Sequence, residues 1–233
     1  MLVQDGIGRL RPVVTDLAPF ETMMMRAADP TNAVELLLLR ERMRAWRFYD
    51  HFRTDRDAPA RIPRIGTRTV ALASDGSNLA PAVQTVREIG NGPAFDRAIN
   101  DAFPGSSIEI DAADGLFRLS MRQSGLHRPL EASELSDRTL RYIALATALH
   151  TPRPPELIVL NEPEGSLRPS FIEPLARMIA AASERSQVIV VSHAQTLVET
   201  LAKHGAQMLA LEKENGETIV ANVEPPAWAW PER

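Results

Sequence analysis

The sequence predicts an α/β fold with a mainly parallel sheet flanked by helices and a terminal β-hairpin. Two runs carry most of that expectation: Leu157-Ile158-Val159-Leu160 and Val188-Ile189-Val190-Val191 are wholly apolar. Strands that are apolar on both faces need cover on both sides, which parallel sheets obtain from crossover helices. Residues 169–183, between the two runs, read as such a helix. The third observation is Asn215-Gly216 within residues 207–223, a strong hairpin signal.

Residues 31–46 have helical spacing, with Val34, Leu37, Leu38 and Met43 on one side and Thr31 or Asn32 as N-cap. Residues 55–64 carry Pro59 and Pro63 among alternating charges and read as an exposed loop. Asn78 is placed to cap a helix that runs through Ile89 and closes at Gly90. Pro93 opens a second helix that ends before Pro104. Residues 107–110 and 116–122 form a hairpin around Asp114-Gly115. Helices follow over residues 137–150 and 196–203. The expected division is a middle part of helices and hairpins over residues 1–130 and a second lobe over 131–233.

The bulk numbers exclude several classes. A chain of 233 residues can bury a real core, and 44% hydrophobic with 24% charged residues is ordinary for a globular domain. No apolar run approaches the roughly 20 residues that a membrane helix needs. The first sixteen residues lack the basic and apolar regions of a secretory signal. The absence of cysteine rules out disulfides and thiolate metal sites and suits a cytoplasmic protein. The net charge of −4 argues against a wholly basic nucleic-acid binder, yet residues 40–68 hold nine arginines against Glu41, Asp50, Asp55 and Asp57. Such a stretch is ordinarily a solvated face, and its alternative is a phosphate-binding one.

In sheets of this kind chemistry gathers beyond the carboxyl ends of the strands. The first run ends in Asn161-Glu162-Pro163, the pattern of a Walker B element. Hydrolysis of a phosphoanhydride needs a ligand to the Mg²⁺ shell and a carboxylate to orient or deprotonate water. Asn161 would accept a hydrogen bond from a Mg²⁺-bound water, and Glu162 would act as the base. The second run ends in Ser192-His193, where a histidine can donate to a γ-phosphate and sense it. Ser136 precedes the helix at Asp137. It is by default an ordinary N-cap, and with the free N–H groups of the first turn it can instead serve an anion.

In order, Leu135-Ser136, residues 157–162, Gly165-Ser166-Leu167 and His193 resemble the ABC-type ATPases of the RecF, SMC and OLD kind, grouped among the AAA-family ATPases. The phrases LIVLNEPEGSLRP and VIVVSH carry the resemblance, and WRFYDHFRTD and SDGSNLAPAVQTVREIG extend it to the middle of the chain. It implies a P-loop NTPase-like, ABC-type layered head that dimerises around ATP and Mg²⁺. The partner is a second copy or an intact ATPase. It also implies roles: signature for Ser136, Mg²⁺ shell for Asn161, base for Glu162 and γ-phosphate sensor for His193. Work on DNA, including DNA repair, follows only by analogy.

The chain departs from the pattern in two places. A P-loop requires Gly-Lys-Ser/Thr, and the only lysines, Lys203 and Lys213, follow Ala202 and Glu212. The resemblance therefore implies a carboxyl-terminal portion, incomplete at its amino terminus, with weak or no ATPase activity alone. Arg138 occupies a signature position usually held by glycine, where it either pairs with a γ-phosphate or spoils the site. The competing reading is a non-catalytic interaction or DNA-binding module derived from such a head. A Toprim-type nuclease partner ranks last, because no further acidic cluster marks a second metal site in the sequence.

Overall fold

The structure, a computed structural model, describes residues 2–4, 9–12, 16–26 and 34–221. Its elements are β1 (Leu2–Gln4), β2 (Leu10–Pro12), α1 (Met23–Arg26), α2 (Val34–Ala45), β3 (Arg47–Tyr49), β4 (Arg64–Ile65), α3 (Leu79–Ile89) and α4 (Gly92–Ala102). They continue with β5 (Ser107–Ala113), β6 (Leu116–Arg122), β7 (Leu130–Glu131), α5 (Asp137–Leu149), β8 (Leu157–Asn161), α6 (Ile172–Ser183), β9 (Gln187–Val191), α7 (Gln195–Lys203), β10 (Leu211–Glu214) and β11 (Glu217–Val220).

The expected α/β architecture is present. Strands β3, β8 and β9 form a parallel sheet in that order, with Phe48, Val159 and Ile189 in one row and Tyr49, Leu160 and Val190 in the next. A second sheet is antiparallel, in the order β4-β6-β5, with β7 also pairing to β6. Helices α3 and α4 pack on this second sheet and on α5. One hydrophobic cluster joins the two halves: Leu79, Val83 and Phe95 meet Leu140, Ile143, Leu145, Ile158 and Leu160. Both hairpins form where expected. At the first, Asp114 (φ 54°) and Gly115 (φ 74°) take the left-handed conformation that a two-residue turn requires. The terminal hairpin is β10–β11 around Asn215-Gly216. Residue 223, the expected end of that hairpin, lies outside the described residues, as do the expected caps Thr31 and Asn32.

Several local expectations are corrected. Residues 55–64 are exposed only at their two ends, 55–57 and 62–64; between them Pro59–Arg61 is a 3-10 turn, Ala58 is fully buried, and the Arg61 side chain is drawn inside. Asn78 does not cap α3 with its side chain. Its amide instead bridges the preceding segment, accepting from Ala73 N and donating to Ala71 O. Gly90 ends α3 with φ −103°, so a left-handed turn is not what demands glycine; an added Cβ would lie 2.6 Å from the Val86 carbonyl.

The parallel sheet is covered on one face only among the described residues. Ile158 and Leu160 are buried, and Val188 and Val190 pack against the core on the same side. On the other face Phe48, Ile189 and Val191 are each about half exposed. Helix α2 buries none of its residues, and Val34, Leu38 and Met43 of its apolar side are exposed.

Candidate functional site at the strand ends

The turn after β8 is built around Glu162. Its N–H donates to the Val191 carbonyl at 2.8 Å. Its own carbonyl accepts from Gly165 N at 2.9 Å and from the buried Arg141 guanidinium at 2.7 Å. These bonds hold Glu162 at φ 46°. Left-handed backbone costs a side-chain-bearing residue on the order of 1–2 kcal/mol, and it persists only where the surroundings over-determine it. Gly165 is needed for approach: a Cβ there would stand 3.1 Å from the Glu162 carbonyl.

Glu162 and Glu164 of this turn meet His193, which follows β9. His193 Nδ1 lies 2.7 Å from Glu162 Oε2. That hydrogen bond, and then the charge of Glu162, raises the His193 pKa above the ordinary imidazole value. Ser192 donates to Glu164 Oε1 and accepts from Ala194 N at 3.0 Å, which ties the β9 end to the turn. Glu164 is buried, and its Oε2 has no hydrogen-bond partner in the structure. Asn161 donates through Nδ2 to Asp50 Oδ1, just past the end of β3. Arg141 feels the charges of Glu164, Asp50 and Glu162, while burial lowers its pKa.

Glu162 and His193 are thus in contact, while the neighbouring Asn161 faces Asp50. Ser136 and Arg138 are placed in a different cleft, of about 720 Å³, which they share with Thr139, Arg168 and Ser170. Phe103 and Phe171 also line it, and their rings stack edge-to-face with centroids 4.8 Å apart. Ser136 caps α5 in the ordinary way, accepting from Thr139 N at 3.2 Å. Arg61 braces the approach to this cap. Its guanidinium donates to the carbonyls of Ala132 (2.9 Å) and Leu135 (2.7 Å) and to the Asp137 carboxylate (2.6 Å).

Sequence reasoning missed Asp50, Arg141 and Glu164. Arg141 had one signal, a cation inside the apolar run of α5. Asp50 had a weaker one, an acid closing a short strand. Glu164 joins the already expected Glu162 and His193, and the three bring donor atoms within 4.8 Å of one another. Of the nine arginines in residues 40–68, Arg61 is structural, and Arg40, Arg42, Arg44, Arg53 and Arg68 face carboxylates. Among the described residues no helix is long and apolar enough to cross a membrane.

The profile of the family described as "AAA domain, putative AbiEii toxin, Type IV TA system" matches residues 24–199. The match spans well over half of the sequence, and the chain belongs to this AAA domain family. Among solved structures, one described as "Structural biochemistry of ATP-driven dimerization and DNA stimulated activation of SMC ATPases" is 16% identical, with a TM-score of 0.47, covering 57% of this chain and 82% of that one. The Smc head domain with a coiled coil and joint from Pyrococcus yayanosii is 17% identical, with a TM-score of 0.49, covering 60% and 28%. The SMC head domain from Thermotoga maritima is 23% identical, with a TM-score of 0.45, covering 64% and 52%. The chain therefore spans about half of the last and less than a third of the second. No curated protein matches the chain.

Proposed function

We propose that this AAA-type chain forms the hydrolytic half of a nucleotide site and contributes it to an ATP-dependent dimer. The observation that carries this reading is the 2.7 Å contact of Glu162 and His193 at the carboxyl ends of adjacent parallel strands. Glu162 is the base that orients or deprotonates the attacking water. His193, fixed by Glu162 and otherwise exposed, reports the γ-phosphate. The Asp50–Asn161 pair and the unpartnered Glu164 oxygen fit a nearby cation, and Asn161 and Asp50 would hold the water shell of the Mg²⁺ that accompanies the nucleotide. When bound, Mg²⁺ supplies charge neutralisation to the phosphates.

Ser136 and Arg138, in their separate cleft, serve as the signature face toward a nucleotide held mainly by another protomer. That protomer is a second copy or an intact ATPase. Because the 233 residues contain no P-loop lysine, the chain alone hydrolyses ATP very slowly. Robust Mg²⁺-dependent turnover by the purified chain, abolished by Glu162→Gln, would refute the slow-alone reading. In a preparation supplied with the P-loop half, Glu162→Gln is expected to stop turnover and trap an ATP-bound dimer. Unchanged turnover there would remove Glu162 as the base.

A second reading rests on the exposed Phe48, Ile189 and Val191 face: a non-catalytic interaction module whose apolar sheet is completed by a partner. The nine-arginine stretch offers DNA a smaller face than its count suggests, since most of its cations are already engaged.

A further inference from the structure

We propose that Glu162, Glu164 and His193 form a directly coordinating site for a divalent transition-metal ion, one that fills without nucleotide. Two carboxylates and one imidazole place donor atoms within 4.8 Å of one another. Clusters of acids are common on surfaces, but Glu164 is not a surface acid. It is only 8% exposed, and its Oε2 atom is buried without a hydrogen-bond partner. An unsatisfied buried carboxylate oxygen is costly, and a coordinated cation is one of the few groups that removes the cost.

The charges around it point the same way. Three carboxylates, Glu162, Glu164 and Asp50, act on a single guanidinium, Arg141. That guanidinium does not neutralise Glu164 by contact: its Nη2 is committed to the Glu162 carbonyl, and its Nε has no partner. On the side where His193 faces Glu162, the imidazole is the nearby group that can carry positive charge, and a metal ion would take the place of its proton.

The surroundings also orient the ligands, as metal sites require. Ser192 holds Glu164 through Oε1, which leaves Oε2 as the free donor. The Glu162 backbone is clamped by Val191, Gly165 and Arg141, so its carboxylate starts from a rigid turn. His193 is 86% exposed, and its Nδ1 already lies 2.7 Å from Glu162 Oε2, so its ring stands beside the two carboxylates with its other edge open to solvent. Three protein ligands and an open position facing solvent suit Zn²⁺ and Co²⁺. A nitrogen donor disfavours Mg²⁺, which prefers oxygen ligands and keeps several waters. The site uses the same Glu162, Glu164 and His193 as the nucleotide reading, so an ion held there would occupy the base and the sensor; its filling is nonetheless measured without nucleotide.

The test uses the whole chain, free of nucleotide, titrated with Co²⁺ while visible d–d absorption is recorded, with Zn²⁺ then added as competitor. The expected result is one Co²⁺ per chain, displaced by Zn²⁺, with binding at least about tenfold weaker in Glu164→Gln and in His193→Ala. The exposed His193 cannot matter for folding, so its variant decides the question even if Glu164→Gln unfolds. Absence of saturable Co²⁺ binding overturns the site, and so does binding that both substitutions leave unchanged. A separate titration of labelled ATP reads the nucleotide proposal, so either idea can fail while the other stands.

Discussion

The guanidinium of Arg141, buried at the start of α5, donates a 2.7 Å hydrogen bond to the carbonyl of Glu162, twenty-one residues further along the chain. A charged donor is thus spent on backbone, and what it secures is the left-handed conformation from which the Glu162 carboxylate meets His193.

Replacing Arg141 by methionine keeps much of the volume and removes the donor. The Glu162 carbonyl then loses a charged partner, and the buried Glu164 loses a guanidinium whose charge acts on it. Hydrogen bonds to charged groups contribute on the order of 1.5–3 kcal/mol, so Arg141→Met is expected to lower stability by about 2 kcal/mol or more in urea unfolding. An unchanged midpoint would show that the turn holds itself.

Glu162 raises the pKa of His193, whereas burial lowers that of His150. Histidine titrations followed by NMR are expected to place His193 above free imidazole and His150 below it. Glu162→Gln should return His193 to its ordinary midpoint and leave His150 alone. The sign follows from the raised value: the charged pair is fully present below the unfolded-state pKa and is lost as pH rises through the folded one. Because His193 is solvent-exposed, its loss should leave the unfolding midpoint where it was. A His193 midpoint at the free value in the wild type would mean that the contact is not populated.

Ser136 caps α5 through Thr139 N. Ser136→Ala should cost about 1 kcal/mol, measured by chemical denaturation, whereas Ser136→Asp should hold stability because it caps as well and suits the positive helix end. If the nucleotide reading also holds, the aspartate would repel a γ-phosphate, so its variant should be stable and yet fail to support ATP-dependent dimerisation. A stable and dimerising Ser136→Asp removes the signature role but not the cap.

The strands of the parallel sheet were legible because their apolar runs are short, continuous and bounded by breakers. The hairpin at Asp114-Gly115 was legible because few residue pairs accept two positive φ angles. Glu162 and His193 could be paired because both follow such strands. Asp50 could not, since it reaches Asn161 across 111 positions through the parallel pairing of β3 with β8. Nothing local in residues 55–64 says that Arg61 turns inward. Only the distant carbonyls of Ala132 and Leu135 make its burial affordable, and those are tertiary facts. Glu164 escaped for the same reason: its burial depends on Ser192, twenty-eight residues away.

The outer rim of β9 faces no other strand among the described residues, and valine and isoleucine sit on both of its sides. Any extended peptide offered in parallel can hydrogen-bond along it, including the same segment from a neighbouring molecule. Concentrating the chain therefore sets productive assembly against templated self-aggregation. Over-expression without a companion is expected to yield inclusion bodies, and a lysine at Ile189 to restore solubility while weakening whatever recruitment that rim serves.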